Sequence, residues 1–268
     1  MTVSGLLRRL HRSPELLSAF WQTPVASKLI ASYLDLGNPS FPLDIPLRGG
    51  GVVRVFGPGE VKVFWQIFIH GCYRLWPECR NIVDAGANIG VFSVWTARRL
   101  PQCRILALEP FPDTFARLQH NLQANGLGSR VEAAQLALAA HSGERAMPGA
   151  AQSQRRSLVP EDEPNATGDV KVRSVTLAEL LERYQLKQID LLKMDIEGSE
   201  WEVLLSTPAS VLRSIRRMQF EYHEVHARFG YSKDRLFAYL RDAGFSLTGC
   251  QEDENGTGVA IVEQGVAG

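Results

Sequence analysis

The segment "NIVDAGANIGVFS", residues 81–93, runs from apolar residues into an aspartate, two glycines and an asparagine, then back to apolar ones. A strand that feeds a glycine-rich turn opening a helix is how open α/β sheets receive a nucleotide-like ligand. The chain beyond residue 80 agrees with that constraint, because short β-branched runs alternate with helical segments and predict βαβ units in a mainly parallel sheet. "RNIVDAG" reads as the first strand, with "IGVFSVWTARRL" as its helix. "RILALEP" is the second strand, followed by the helix "DTFARLQHNLQANG" with Gly126 at its C-cap, and "RVEAAQLAL" is the third. "DVKVRSV" alternates like a strand, and Thr176 and Glu179 of "TLAEL" form a capping box. "IDLLKMD" and "RRMQFEY" supply the fourth and fifth core strands. A last helix near residues 232–243 precedes "FSLTGC" and "GVAIVE", which predict a terminal antiparallel hairpin.

Residues 1–79 read differently and form an N-terminal extension or cap: two short helices parted by Pro24, a hairpin over 41–56, and an amphipathic helix over 60–76. Residues 80–268 form the ligand-binding domain. Within it, residues 149–169 are polar and rich in Gly, Pro and Ser, so they predict a mobile loop with too little apolar surface to order itself.

Charge narrows the choice of partners. Twenty-nine basic residues balance twenty-nine acidic ones, so no long-range field draws the chain to nucleic acid or to an anionic membrane. The four cysteines form no C-x-x-C pair and read as reduced core thiols. Arginines break up the leucines of the N-terminus, and no segment approaches about 18 uncharged apolar residues, which predicts a soluble cytoplasmic protein.

The turn itself selects among ligands. A dinucleotide fold needs a glycine two residues after the first, so that a pyrophosphate can approach the backbone; here that position is Asn88. With a side chain there and Asp84 beside it, phosphates are disfavoured. A group carrying both an amine and a carboxylate is favoured, with turn amides between Gly86, Ala87, Asn88 and Gly90 for the carboxylate and Asp84 for the ammonium. That description fits S-adenosylmethionine; a tight turn with no ligand is the alternative. Glu109, about twenty residues past the turn at the end of the second strand, is where such folds place an acid on the ribose hydroxyls. Pro110 and Phe111 follow it, and Phe111 is placed to cover the adenine or to serve as a core aromatic.

"VDAGANIGVFS", "LEPFPDTFARLQHNLQAN" and "LLKMDIEGSEWEVL", in that order over residues 80–224, resemble the FkbM-type methyltransferases. The resemblance implies a Rossmann-like class I methyltransferase sheet of seven mainly parallel strands. It also implies S-adenosylmethionine as cofactor and cofactor roles for Asp84, Gly86, Asn88, Gly90 and Glu109. O-methylation of a small molecule, sugar or natural product is the activity associated with that family.

Two further stretches carry candidate chemistry. Lys193, Asp195 and Glu197 recur at period two where a central strand should be apolar, and unpartnered charges are costly to bury. A Lys193–Asp195 ion pair that only holds the loop is the structural alternative. Glu221 and His223 close the fifth strand. A histidine suits removal of an acceptor's hydroxyl proton, with Glu221 positioning it and Lys193 or Asp195 aligning the nucleophile. In a rival arrangement Asp195, Glu221 and His223 bind a divalent cation such as magnesium. Nucleic-acid N-methylation and a non-catalytic binding role remain the other classes. The first usually shows D-P-P-Y or N-P-P-Y where this chain has "MDIEG".

Overall fold

The computed structural model describes residues 13–33, 36–37, 39–148, 169–222, 232–252 and 258–265. Helices α1 (Ser13–Gln22) and α2 (Ala26–Tyr33) lead to the antiparallel pair β1 (Leu43–Pro46) and β2 (Val52–Val55). Helix α3 (Pro58–Phe64) starts at an extended Gly57 with proline in its first turn, a position that needs no amide donor. It continues as a π-helical turn, Trp65–His70, and stops at Gly71, whose φ of 74° is the left-handed conformation of a helix terminus. The helix expected over 60–76 therefore begins and ends earlier, because the glycine breaks it before Cys72.

Strand β3 (Asn81–Ala85), helix α4 (Val91–Arg99), strand β4 (Arg104–Leu108), helix α5 (Pro112–Ala124) and strand β5 (Val131–Ala134) follow in βαβ order. The third predicted strand is divided: after β5, strand β6 (Ala137–Leu138) leaves to join β8 (Asp169–Val175) and β7 (Gly143–Pro148) in a separate three-stranded sheet. The chain then returns through α6 (Leu177–Arg183), β9 (Leu191–Met194), α7 (Glu200–Ser206), α8 (Ala209–Leu212) and β10 (Arg217–Tyr222). It ends with α9 (Lys233–Asp242), β11 (Phe245–Glu252) and β12 (Gly258–Gln264).

The large sheet has the order β11-β12-β10-β9-β3-β4-β5, parallel from β5 to β10 and antiparallel at β12 and β11. This is the mainly parallel, Rossmann-like sheet of seven strands with the terminal antiparallel hairpin that the sequence led one to expect. Succession reverses between β3 and β9, so the carboxyl ends of those strands open a crevice where open α/β sheets take their ligands.

Alternation along the strands sends residues to two cores. Ile82, Ile105, Val131 and Leu191 join one cluster with α4, α5 and the N-terminal helices; Val83, Leu106, Leu192 and Phe220 join another with α6, α7 and α9. The N-terminal segment thus shares one apolar core with a face of the sheet. Side chains reinforce the seam: Asn121 on α5 accepts from the Arg54 amide at 2.8 Å and donates to the Arg54 carbonyl at 3.1 Å. Gln219 on β10 likewise pairs both ways with the Arg74 backbone, at 2.8 and 2.6 Å. Among the described residues no helix is long and apolar enough to cross a membrane. Residues 149–168, most of the loop named from the sequence, lie outside the described residues.

Candidate active site

A cavity of about 300 Å³ sits at the carboxyl ends of β3, β4, β9 and β10, roofed by α3 and the π-helical turn. Gly86, Ala87 and Asn88 line it beside Glu109, Pro110 and Phe111, and so do Lys193, Asp195, Glu197 and Glu221. Nine of the expected site residues therefore meet in one place, with Glu197 beside them. His223 lies outside the described residues. Asp84 and Gly90 are not in the wall.

The glycine turn is built by backbone conformation. Gly86 and Gly90 have φ of 72° and 87°, and Asn88 has φ of 50°, a region that asparagine tolerates better than most side chains. A Cβ on Gly86 would overlap the Asp195 carbonyl oxygen, and one on Gly90 would come within 2.7 Å of Leu118 Cδ1. Three of the turn amides are already engaged: Ala87 donates to the Leu108 carbonyl at 2.8 Å, Gly90 to the Ala87 carbonyl at 2.8 Å, and Asn88 to Glu109 Oε2 at 3.0 Å. Glu109 Oε1 also accepts from the Phe111 amide at 3.2 Å, so this acid locks the β3 and β4 loops together. Glu109 also lines the cavity.

Asp84 differs from its expected role. It is fully buried, with Oδ2 accepting from Ser93 Oγ at 2.7 Å and Oδ1 facing Lys193 Nζ at 3.1 Å. Asp84 and Lys193 are directly opposed on neighbouring parallel strands. Lys193 also donates to the Gly86 carbonyl at 2.8 Å and approaches the Ala85 carbonyl at 3.4 Å. Burial pulls this ammonium's pKa down, but the Asp84 and Asp195 charges outweigh burial and hold it above the ordinary lysine value. The Asp84–Lys193 pair is thus a buried brace under the glycine turn, and the Lys193–Asp195 pairing considered from sequence is replaced by Lys193–Asp84.

Beyond Met194 the strand gives way to a turn in which Glu197 and Gly198 have φ of 55° and 95°. Asp195 and Glu221 sit one step further along the paired strands than Met194 and Phe220. Burial first, then the Asp195 charge and a hydrogen bond with Asp195, push the Glu221 carboxyl up to about 9. Glu200, fully buried at the start of α7, is pushed up to about 8, chiefly by burial. Its Oε1 accepts from the Ile196 amide at 2.6 Å, bracing the turn that carries Asp195 and Glu197. The acidic field reaches Cys72, whose thiol is pushed to about 12 by burial and then by Asp195.

Sequence reasoning passed over Ser93, Glu200, Leu136–Leu138, the α3 residues Lys62 and Val63, and Gln66 of the π-helical turn. Only the acid at the start of "EWEVL" left a readable signal, since a carboxylate in a first helical turn is a capping residue.

The family model described as "Methyltransferase FkbM domain" matches residues 84–247. The chain belongs to the FkbM methyltransferase family. Methyltransferase sdnD of Sordaria araneosa is 32% identical over 69% of this chain and 82% of its own length. Methyltransferase 1 of Beauveria bassiana is 36% identical over 52% of this chain and 64% of its own. The 31-O-demethyl-FK506 methyltransferase FkbM of Streptomyces tacrolimicus is 28% identical over 77% and 90%. This FkbM-family chain is accordingly a methyltransferase, and the crevice at the β3–β9 reversal is its candidate active site. Among its described residues no group of three or more His, Cys, Asp or Glu is arranged to hold a metal ion.

Proposed function

We infer that the chain transfers a methyl group from S-adenosylmethionine to a hydroxyl of a small molecule. The observation that carries this reading is the shared cavity in which Glu109 and the Gly86–Asn88 turn face the carboxyls Asp195, Glu197 and Glu221. Two features fit the cofactor. Among the described residues Asn88 Oδ1 is buried without a hydrogen-bond partner, on a residue that lines the cavity, and glycine at position 86 keeps the turn close to Asp195. Bound there, S-adenosylmethionine supplies a methyl group already activated on a sulfonium.

In this reading Glu109 accepts from the ribose hydroxyls, and Phe111 with Leu136 and Leu138 flanks the base. Asn88 Oδ1, Asp195 and Glu197 face the cationic groups, a task the sequence suggested for Asp84. Lys193 and Asp84 act as positioning residues. The Asp195–Glu221 pair receives the proton that the acceptor hydroxyl loses, because a neighbouring cation favours the ionised carboxyls and its loss favours proton capture. The relative named 31-O-demethyl-FK506 methyltransferase supports oxygen as the acceptor atom. The apolar wall from Val63 and Ile67 suits a small organic molecule. His223 as base or orienter, and a cation held by Asp195, Glu221 and His223, belong to a residue outside those described; no observation favours them over the carboxyl pair.

Calorimetry with purified protein tests the cofactor. We expect S-adenosylmethionine to bind, and Glu109→Gln to weaken it by about tenfold or more, since hydrogen bonds to a charged acceptor are worth about 1.5–3 kcal/mol. Unchanged affinity in that variant removes the ribose role.

The Glu221 pKa makes two predictions of opposite sign. Its folded value of about 9 lies above the unfolded value of 4.5, so its favourable contribution to stability is complete below pH 4.5 and is lost as pH rises toward 9. Glu221→Gln should therefore raise the melting temperature of the unliganded protein increasingly from pH 5 to 9. For catalysis the ionised pair is the proton acceptor, so kcat/KM should climb toward pH 9 and lose that slope in Glu221→Gln. A flat wild-type profile would remove Glu221 from the proton path.

A further inference from the structure

The charges around the cavity are unevenly matched. Four of its lining residues are acidic, Glu109, Asp195, Glu197 and Glu221, and two are cationic, Lys62 and Lys193. The ammonium of Lys193 is engaged by the ion pair with Asp84 and by the Gly86 and Ala85 carbonyls. The amides of Ala87, Asn88 and Gly90 donate to Leu108, Glu109 and Ala87, so three of the donors that a glycine turn normally offers to a carboxylate are occupied. Among the described residues, an amino acid moiety entering this cavity finds acceptors in abundance for its ammonium and one open cation for its carboxylate.

That cation is Lys62. It lines the cavity from α3 on the same helix face as Gly59, Val63 and Gln66, and it makes no ion pair among the described residues. The helix beneath it is firmly set. Glu60, one turn's neighbour and 2% exposed, accepts from the Phe56 amide and from Arg117 at 3.0 Å, fastening α3 to the end of β2 and to α5. A long, flexible lysine on a fixed helix can reach a ligand without altering the fold.

We propose that Lys62 is the counter-ion for the carboxylate of the methionine moiety, which makes the N-terminal segment part of the cofactor site and more than a cover over the acceptor. The inference rests on the cofactor reading above. It also separates the two ends of the amino acid group: the ammonium goes to Asn88, Asp195 and Glu197 on the sheet side, the carboxylate to α3 on the roof.

The test compares S-adenosylmethionine with its decarboxylated analogue, which retains sulfonium and ammonium and lacks only the carboxylate. Wild-type protein should prefer S-adenosylmethionine in calorimetry. Lys62→Met should cut that preference about tenfold by weakening S-adenosylmethionine alone, and Lys62→Arg should restore most of it. The melting temperature without ligand should not move, because Lys62 is exposed. Binding by the wild type with an unchanged preference in Lys62→Met overturns the Lys62 role by itself, including the case where only the acceptor's KM rises. Failure of the wild type to bind either probe overturns the cofactor reading and the Lys62 role together.

Discussion

Gly86→Ala is expected to abolish methyl transfer and to cost more than about 3 kcal/mol of stability, combining left-handed strain of about 1–2 kcal/mol with an overlap that nothing nearby can relieve. The φ of Gly86 is 72°, and its added Cβ would meet the backbone carbonyl oxygen and carbon of Asp195 together with the side chain of Ile196. Backbone cannot swing aside as a side-chain end can. The Asp195 amide donates to the Ala85 carbonyl at 3.2 Å, so pushing the loop away strains the β3–β9 junction and carries Asp195 out of reach of Glu221. Gly126 supplies the control: its φ is 63°, yet among the described residues no atom beyond its chain neighbours lies within 4 Å of a Cβ added there, so Gly126→Ala should cost only the conformational strain. Urea denaturation of both variants gives the comparison. Equal losses would mean that the close approach of the two loops is not what Gly86 protects.

Lys193→Met is the second large effect. Removing one partner of a buried ion pair leaves the other charge without compensation, at a cost of about 3–5 kcal/mol. Asp84 would keep Ser93 but lose the ammonium at 3.1 Å, and the Gly86 carbonyl would lose its 2.8 Å donor. Adding Asp84→Asn to Lys193→Met should recover a substantial part of the stability, because the stranded charge is gone, while the turn stays unbraced and cofactor affinity stays low. A loss below about 1 kcal/mol for Lys193→Met, or no recovery in the double variant, would show that the pair is not the brace inferred from its geometry. A proton-transfer role for Lys193 predicts the reverse pattern, lost turnover with stability intact.

Much of the architecture was legible because it is written in local patterns. The β-branched runs of "NIVDA" and "RILAL" alternate with helices at 3.6-residue spacing, and Gly86 and Gly90 occupy positions where side chains do not fit. The same reading placed Glu109 at a strand end, and it does line the cavity. It missed the departure of β6 from the main sheet, since "RVEAAQLAL" is one uninterrupted pattern whose halves pair with different partners. It also extended the 60–76 helix past Gly71, where helical spacing of apolar residues continues after the backbone has turned left-handed.

Periodicity along this chain was enough to predict a mainly parallel α/β sheet and the glycine turn after its first strand, because both depend on residues close together in sequence; the methyltransferase reading came from the resemblance of three motifs to a family. Which charges face one another was settled by strand register. Lys193 reaches a carbonyl 108 residues away because β9 lies beside β3, and the same register couples it to Asp84 and joins Asp195 to Glu221. Among the described residues it leaves Lys62 as the open cation of the cavity. Electrostatic partnership depends on separations of a few ångströms in space, and those separations exist only once the sheet has formed.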